Sequence, residues 1–488
     1  MKVTVAYSSE QFAKPISYIF DLMLSILGLE HEILSYSELT SKGLDNGSLL
    51  ISYGHKAIKI NSEYQIHIYQ SELFSKDYKT LSSMPNLPLK RWNGLPIIYQ
   101  GNGDIENLVT RNRNLIETNV DIVASSFFML TRYEEILIDE RDQYDRFPAT
   151  ASIAYKENFL TRPIVNDYIG LLRKWIDSLN LDIKFRTLWD GKDLAILLTH
   201  DVDSPWRYKW WRPPLKTIAR AIANGKLFTD ALRYTWDWCA SSLRIKQDPG
   251  WNFDYILDIE HRYCLSSSFY FMTYGEGQYG NNYSIDDNRI ISLIKKLENA
   301  DHEVGFHGSF GSYNNYEKFS DEKRELDHFV SNKHYGGRQH YLRWETPVTW
   351  RILEKAGMLY DTTLCYADHE GFRCGICLPF RPFDVLEDRV MDIWELPLIV
   401  MDGTLRNYRN LPPEQSKEVI RALLDVVAER QGLFVMLWHN NSLYEADFPG
   451  WKRVYENAIK GCGSKAVFSG NGRDIIRHWV KNLEKNNS

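Results

Sequence analysis

The chain has few cysteines: six in 488 residues, at positions 239, 264, 365, 374, 377 and 462. So sparse a set gives no disulfide framework, and reduced thiols are expected. No run of 18 or more apolar residues is present, so no transmembrane helix is expected. The nearest thing to a signal segment, Ile16 to Leu29, carries Asp21 near its middle and has no basic flank beyond Lys2. It reads as a core helix. Positive charge is not in excess either. Lys plus Arg number 58 against 64 Asp plus Glu, a net −6. That leaves no electrostatic footprint for nucleic acid or an anionic membrane, and the expected setting is the cytoplasm.

Aromatic residues, by contrast, are abundant at 14%, with 15 Trp and 29 Tyr. They suit either bulky cores or flat surfaces for sugar rings. A hydrophobic fraction of 44% excludes a disordered chain, and the length allows two to four domains.

Residues 1–190 read as an α/β region. Val3 to Tyr7 alternates like a strand, Ser48 to Tyr53 is a short apolar run, and helical periodicity appears around 11–29, 120–138 and 164–179. The region shows no nucleophile, metal or phosphate motif, so a recognition or scaffolding role is expected. Past Trp189-Asp190-Gly191-Lys192 the pattern changes. Strands are expected at 194–199, 268–272, 303–307, 341–344, 390–396 and 433–438. Helices are expected at 251–263, 286–300, 317–331, 347–356, 413–430 and 451–460. This alternation over 191–488 predicts βα units on a parallel sheet or barrel. Residues 204–250, with Trp206, Trp210, Trp211, Trp236 and Trp238, read as an insertion after the first strand.

Parallel α/β folds place chemistry at the C-terminal ends of strands. The first strand ends in Thr199-His200-Asp201-Val202-Asp203, which puts both carboxylates on one face and His200 on the other. Two such carboxylates suit one metal ligand and one general base. His307 ends the third strand and is a second candidate ligand. The segment Arg338-Gln339-His340-Tyr341-Leu342-Arg343-Trp344 supplies two guanidinium groups and an imidazole. An Arg beside a catalytic Asp keeps it ionised. The apolar run Leu433 to Trp438 ends in His439, placed as a general acid would be. Two other strings carry less. Gly275-x-Gly277-x-x-Gly280 matches a dinucleotide fingerprint but lacks the helix start and the distal acid. Cys374-Gly-Ile-Cys377 could be drawn as a zinc knuckle with Cys365 and His369, but Pro379 and Pro382 place it in a loop.

Taken in order, Asp-x-Asp, His, Arg, Glu-x-Pro and Leu-x-His at successive strand ends resemble the polysaccharide deacetylase family, with its NodB homology domain, over roughly 192–445. The resemblance implies a distorted (β/α) barrel preceded by a smaller α/β domain. It implies a hydrolase that uses a divalent metal, zinc, to remove acetyl groups from an N-acetylated or O-acetylated saccharide in cell-surface polysaccharide metabolism. By position, Asp201 matches the base, Asp203 and His307 metal ligands, Arg343 the arginine that orients the base, and His439 the acid. Trp394-Glu395-Leu396-Pro397 resembles the fourth-motif strand. The family's second metal histidine, four residues after the first, is Gly311 here. His340 is the candidate substitute, with Ser309 or Ser312 as others. Trp206, Trp344 and Trp438 adjoin these residues and are expected to bind the carbohydrate. Segments such as Arg146-Phe147-Pro148-Ala149 resemble the uncharacterised region preceding this domain in a bacterial branch of the family. Two further readings stay open: a related hydrolase of another amide or ester, and a catalytically inactive glycan-binding or scaffolding homologue. The oligomeric state is not legible.

Overall fold

The computed structural model describes residues 2–103, 105, 107–208, 215, 218–219, 229–243, 245–275 and 279–485. Two sheets organise it. In the N-terminal one, the strand Val3–Tyr7 lies between His31–Ser35 and Leu49–Gly54, with Tyr64–Tyr69 and Leu115–Thr118 following in parallel. Val109–Asn112 closes the edge antiparallel. The helix Ala13–Leu27 stops at Gly28, whose φ of 74° lets the last carbonyls be capped by the Gly28 and Leu29 amides. The helix Ile122–Leu130 is buried all round, and the Asp121 side chain caps its first turn. It lies between layers, so it needs no polar face.

The second sheet is parallel throughout, in the order 394–395, 360–361, 337–339, 303–308, 267–271, 194–202, 433–437, 400–401. Its two edge strands are consecutive in the chain and joined by Leu396–Ile399 alone, so the sheet curls on itself. Leu194–Val202 is buried along its whole length, which explains its unbroken apolar run. Helices Phe253–Arg262, Asn288–Asn299, Tyr316–Leu326, Val348–Lys355, Pro413–Ala428 and Trp451–Gly463 fall close to the expected positions.

Three features differ from the sequence reading. No strand forms at 341–344; instead a strand ends at Gln339, and Tyr341 and Leu342 take φ of 61° and 54°. The expected strand 390–396 condenses to Trp394–Glu395. The short strands Tyr360–Asp361, Val400–Met401 and Val467–Ser469, and the final helix Gly472–Glu484, were not foreseen. Within the Trp-rich insertion, Trp210 and Trp211 lie outside the described residues, and Thr229–Ser242 is a helix.

One hydrophobic core runs through both sheets. Trp189, at the junction, stacks on Trp479 with centroids 5.3 Å apart. A buried ion cluster also ties the regions together. Arg373 donates to Glu135 through Nε at 2.8 Å and Nη2 at 2.9 Å, and Arg132 Nε reaches the same carboxylate at 2.9 Å. Burial pushes Glu135 up, but the two guanidinium groups outweigh it and hold the carboxyl at about 2.

Candidate metal and acid–base site

Strand alternation sends Asp201 and Asp203 into the mouth of the curled sheet. His200 turns to the other face, where Nδ1 donates to the Trp438 carbonyl at 2.7 Å and Nε2 faces Glu260 at 2.9 Å. It therefore takes no part in the site.

His307 and His340 meet Asp203. His307 Nδ1 donates to the Arg338 carbonyl at 2.9 Å, which leaves the Nε2 lone pair facing inward. Nε2 stands 3.2 Å from Asp203 Oδ1 and 3.0 Å from His340 Nδ1. His340 Nδ1 is 3.5 Å from the same oxygen. All three donor atoms lie within 4.8 Å of one another. Asp203 Oδ1 is buried and accepts no well-aligned hydrogen bond. Such an oxygen is costly to bury unless a cation completes it. Burial would raise Asp203, but His340, His307 and His439 hold it far below the usual carboxylate range. Burial lowers His340 to about 4, so it is neutral near pH 7 with a lone pair available. One carboxylate and two imidazoles whose nitrogens converge form a donor set suited to zinc or a similar divalent ion. The alternatives at Ser309 and Ser312 do not join it. Ser309 Oγ bonds Glu322, and Ser312 Oγ donates to the Ser309 carbonyl at 3.0 Å.

Asp201 is held separately. Arg338 Nη1 donates to its Oδ1 at 2.8 Å, while Nη2 bonds Thr199 Oγ1 and Nε the Thr362 carbonyl, both at 2.9 Å. The expectation for Arg343 is thus corrected: the guanidinium at Asp201 belongs to Arg338. With a strand ending at Gln339 and the chain turning through left-handed Tyr341 and Leu342, Arg343 is carried to the rim. There it donates to the Tyr144 carbonyl at 2.8 Å and the Phe310 carbonyl at 2.7 Å. Arg338→Met is expected to lower turnover by roughly 10–100-fold, because Asp201 loses the hydrogen-bond donor that orients it. Arg343→Met is expected to act on KM rather than kcat. Steady-state kinetics on the two purified variants separates these outcomes.

His439 was expected from the sequence, but its partner was not. Nδ1 pairs with Asp402 Oδ1 at 2.7 Å, and Ser442 donates to the other Asp402 oxygen. Asp402 follows the two-residue strand Val400–Met401, too short to read from periodicity. Burial would lower His439, yet Asp402, then Asp203 and Asp201, raise it to about 9. Its Nε2 points at Asp203 Oδ2, 3.6 Å away.

The expected carbohydrate-binding tryptophans do not line the cleft. Trp344 is 2% exposed and packs edge-on to Trp350. Trp438 is 1% exposed, beneath Trp451 and Tyr455. Both are core residues and cannot stack a sugar. Trp206 stacks on Trp251, with Arg289 over its ring. The cleft itself, about 640 Å³, is lined by tyrosines 144, 341 and 408 together with Asp201, Asp203 and His439. Cys365, Cys374 and Cys377 are buried away from any ligand cluster among the described residues, and burial pushes the Cys365 and Cys377 thiols up to about 12.

Residues 4–181 match the model of a family described as a family of unknown function (DUF7033). None of the curated proteins matches the chain. Among solved structures, a protein assigned as a polysaccharide deacetylase from Mycobacterium smegmatis is 19% identical. That match covers 61% of this chain and 93% of that one, with a TM-score of 0.40. A CE4 family pseudoenzyme from Bacillus anthracis is 12% identical over 59% of this chain and 66% of its own, with a TM-score of 0.27. A GH57-type branching enzyme from Pyrococcus horikoshii is 11% identical over 59% and 70%, with a TM-score of 0.31. Likenesses this distant do not decide what the chain does; its own site has to.

Proposed function

We propose that the chain is a metal-dependent hydrolase that removes acetyl groups from an N-acetylated or O-acetylated saccharide. The observation that carries this reading is the joint presence, in one cleft, of a three-donor cation site and two oriented titratable groups beside it. Asp203, His307 and His340 would hold the ion. A bound divalent ion supplies Lewis-acid activation. Asp201, fixed by Arg338 and 3.6 Å from His307 Nε2, is placed to take a proton from water as it attacks the acyl carbon. His439, held by Asp402 and drawn toward its protonated form, is placed to give a proton to the departing amine or alcohol. Base and acid flank the trio separately, each with its own buried counter-charge. A purely structural ion site has no need of that division. The order of strand-end motifs that resembles polysaccharide deacetylases supports the same reading.

Acetate release from a panel of N- and O-acetylated saccharides, with zinc supplied, tests it directly. Release from at least one is expected, and none from any would refute the proposal. The metal half has its own readout. Wild-type protein is expected to bind one equivalent of zinc by elemental analysis. Asp203→Ala and His340→Ala are each expected to weaken that binding by about 10²-fold or more, since three ligands leave none to spare.

A further inference from the structure

One wall of the cleft comes from the N-terminal region. Residues 142–146 form a tight strap whose Asp142 carboxylate accepts the Tyr144 amide at 2.8 Å and the Arg146 amide at 3.0 Å. The barrel latches the strap in place. Arg343 holds the Tyr144 carbonyl, and Arg146 Nη1 donates to the Tyr341 carbonyl at 2.8 Å. The Tyr144 and Tyr341 rings stand 5.1 Å apart.

Across the cleft is the π-helical turn Thr404–Tyr408, a local widening of the kind that often marks function. Arg146 Nη2 reaches the Tyr408 hydroxyl at 3.1 Å, so the strap and the turn meet. The turn also presents Arg406, which lines the same cleft as Asp203 and His439. Its guanidinium lies 3.7 Å over the Phe448 ring, and Nη1 donates to Ser442 Oγ at 2.7 Å. Nε reaches the Asn407 side chain at 3.1 Å. Among the described residues no carboxylate forms a direct ion pair with Arg406: Asp402 reaches it through Ser442 Oγ, Asp447 acts on it from further off, and its Nη2 bonds none of them. The arginines around it are matched: Arg146 by Asp142 and Arg338 by Asp201. A partly buried guanidinium of a cleft-lining residue, stacked on the Phe448 ring and with one nitrogen unbonded among the described residues, has the geometry to receive a planar anion. Ser442 and Asn407 account for Nη1 and Nε, which leaves Nη2 without a bonded partner among the described residues.

We propose that the strap 142–146 and the turn 404–408 form a second sugar subsite beside the metal trio, in which the Tyr144, Tyr341 and Tyr408 side chains border a pyranose ring and Arg406 binds its anionic substituent. The substrate class is then an acidic glycan, with a uronate next to the acetylated residue. This rests on the deacetylase reading above for the identity of the neighbouring site, but binding tests it independently of turnover.

Calorimetric titration of full-length, zinc-loaded Asp201→Asn protein avoids consuming the ligand. Three probes are compared: a disaccharide of N-acetylglucosamine and glucuronic acid, the neutral N,N′-diacetylchitobiose, and a disaccharide carrying phosphate in place of the uronate. The acidic disaccharide is expected to bind about tenfold or more tighter than the neutral one. Adding Arg406→Gln should bring that ratio to near one, Arg406→Lys should restore it in part, and Tyr144→Ala should weaken both ligands alike. A phosphate probe that outcompetes the uronate, and loses its advantage in Arg406→Gln, keeps the subsite and names phosphate as the anion. Equal affinities in the starting protein, a ratio that survives Arg406→Gln, or no binding of any probe would overturn the proposal. Tight, Arg406-dependent binding with no acetate release by wild-type protein would sink the deacetylase reading alone. Release from acidic and neutral substrates at equal efficiency would sink the subsite alone.

Discussion

Asp201→Asn is expected to lower acetate release by about 10²–10⁴-fold while the protein keeps its equivalent of zinc. The physical ground is the division of labour between two carboxylates on one strand. Asp203 faces both imidazoles, whereas Asp201 gives one oxygen to Arg338 and keeps the other toward His307. An amide preserves the shape and can still bond the guanidinium through its oxygen, but it cannot accept a proton from water. His439→Gln should cost a similar factor by removing the proton donor, and the double variant should fall well short of the product of the two, because both serve one reaction. Acetate assays paired with elemental analysis give the answer. Full activity in Asp201→Asn would mean that the base has been misplaced, and loss of zinc in it would mean that Asp201 is a ligand.

The second large effect lies away from the cleft. Glu135→Gln should destabilise the fold by about 3–5 kcal/mol, since it leaves Arg373 buried without a counter-charge and Arg132 with Glu134 alone. Urea unfolding followed by tryptophan fluorescence would show the lowered midpoint. The pH dependence has a fixed sign. The carboxyl is depressed in the folded state, to about 2, relative to roughly 4.3 when unfolded. Its contribution is therefore complete above about pH 5 and lost as pH falls toward 2. The variant should lack that component of the acid limb. An unchanged midpoint would show that the two halves are held together without this cluster.

What the sequence disclosed follows from how each element is encoded. The pairing of Asp201 with Asp203, and the exclusion of His200, need only the two-residue period of a strand, and the structure agrees with both. His307 and His439 stand at the ends of apolar runs that are unmistakable in the chain. Arg338 and Arg343 were harder to tell apart, because the choice depends on a chain reversal at Tyr341 and Leu342. Neither residue is among the glycines and asparagines that usually mark a left-handed backbone. Asp402 was hidden because its strand is two residues long, although Asp402-Gly403 directly after an apolar run was a usable hint. Tryptophans next to motif residues proved a poor guide to the sugar surface. Trp344 follows Arg343 in sequence, yet its ring turns into the core.

The latch between Arg343 and the Tyr144 carbonyl has a consequence for how such a chain can change over generations. The curled sheet carries Asp201, Asp203 and His439, but part of the cleft wall around them comes from the preceding region. The same sheet set beside a different neighbour would keep its cluster of acidic and imidazole groups and lose that wall. The two regions are therefore free to drift only as a matched pair, and a swap that conserves every residue at the trio would still change the wall that faces it.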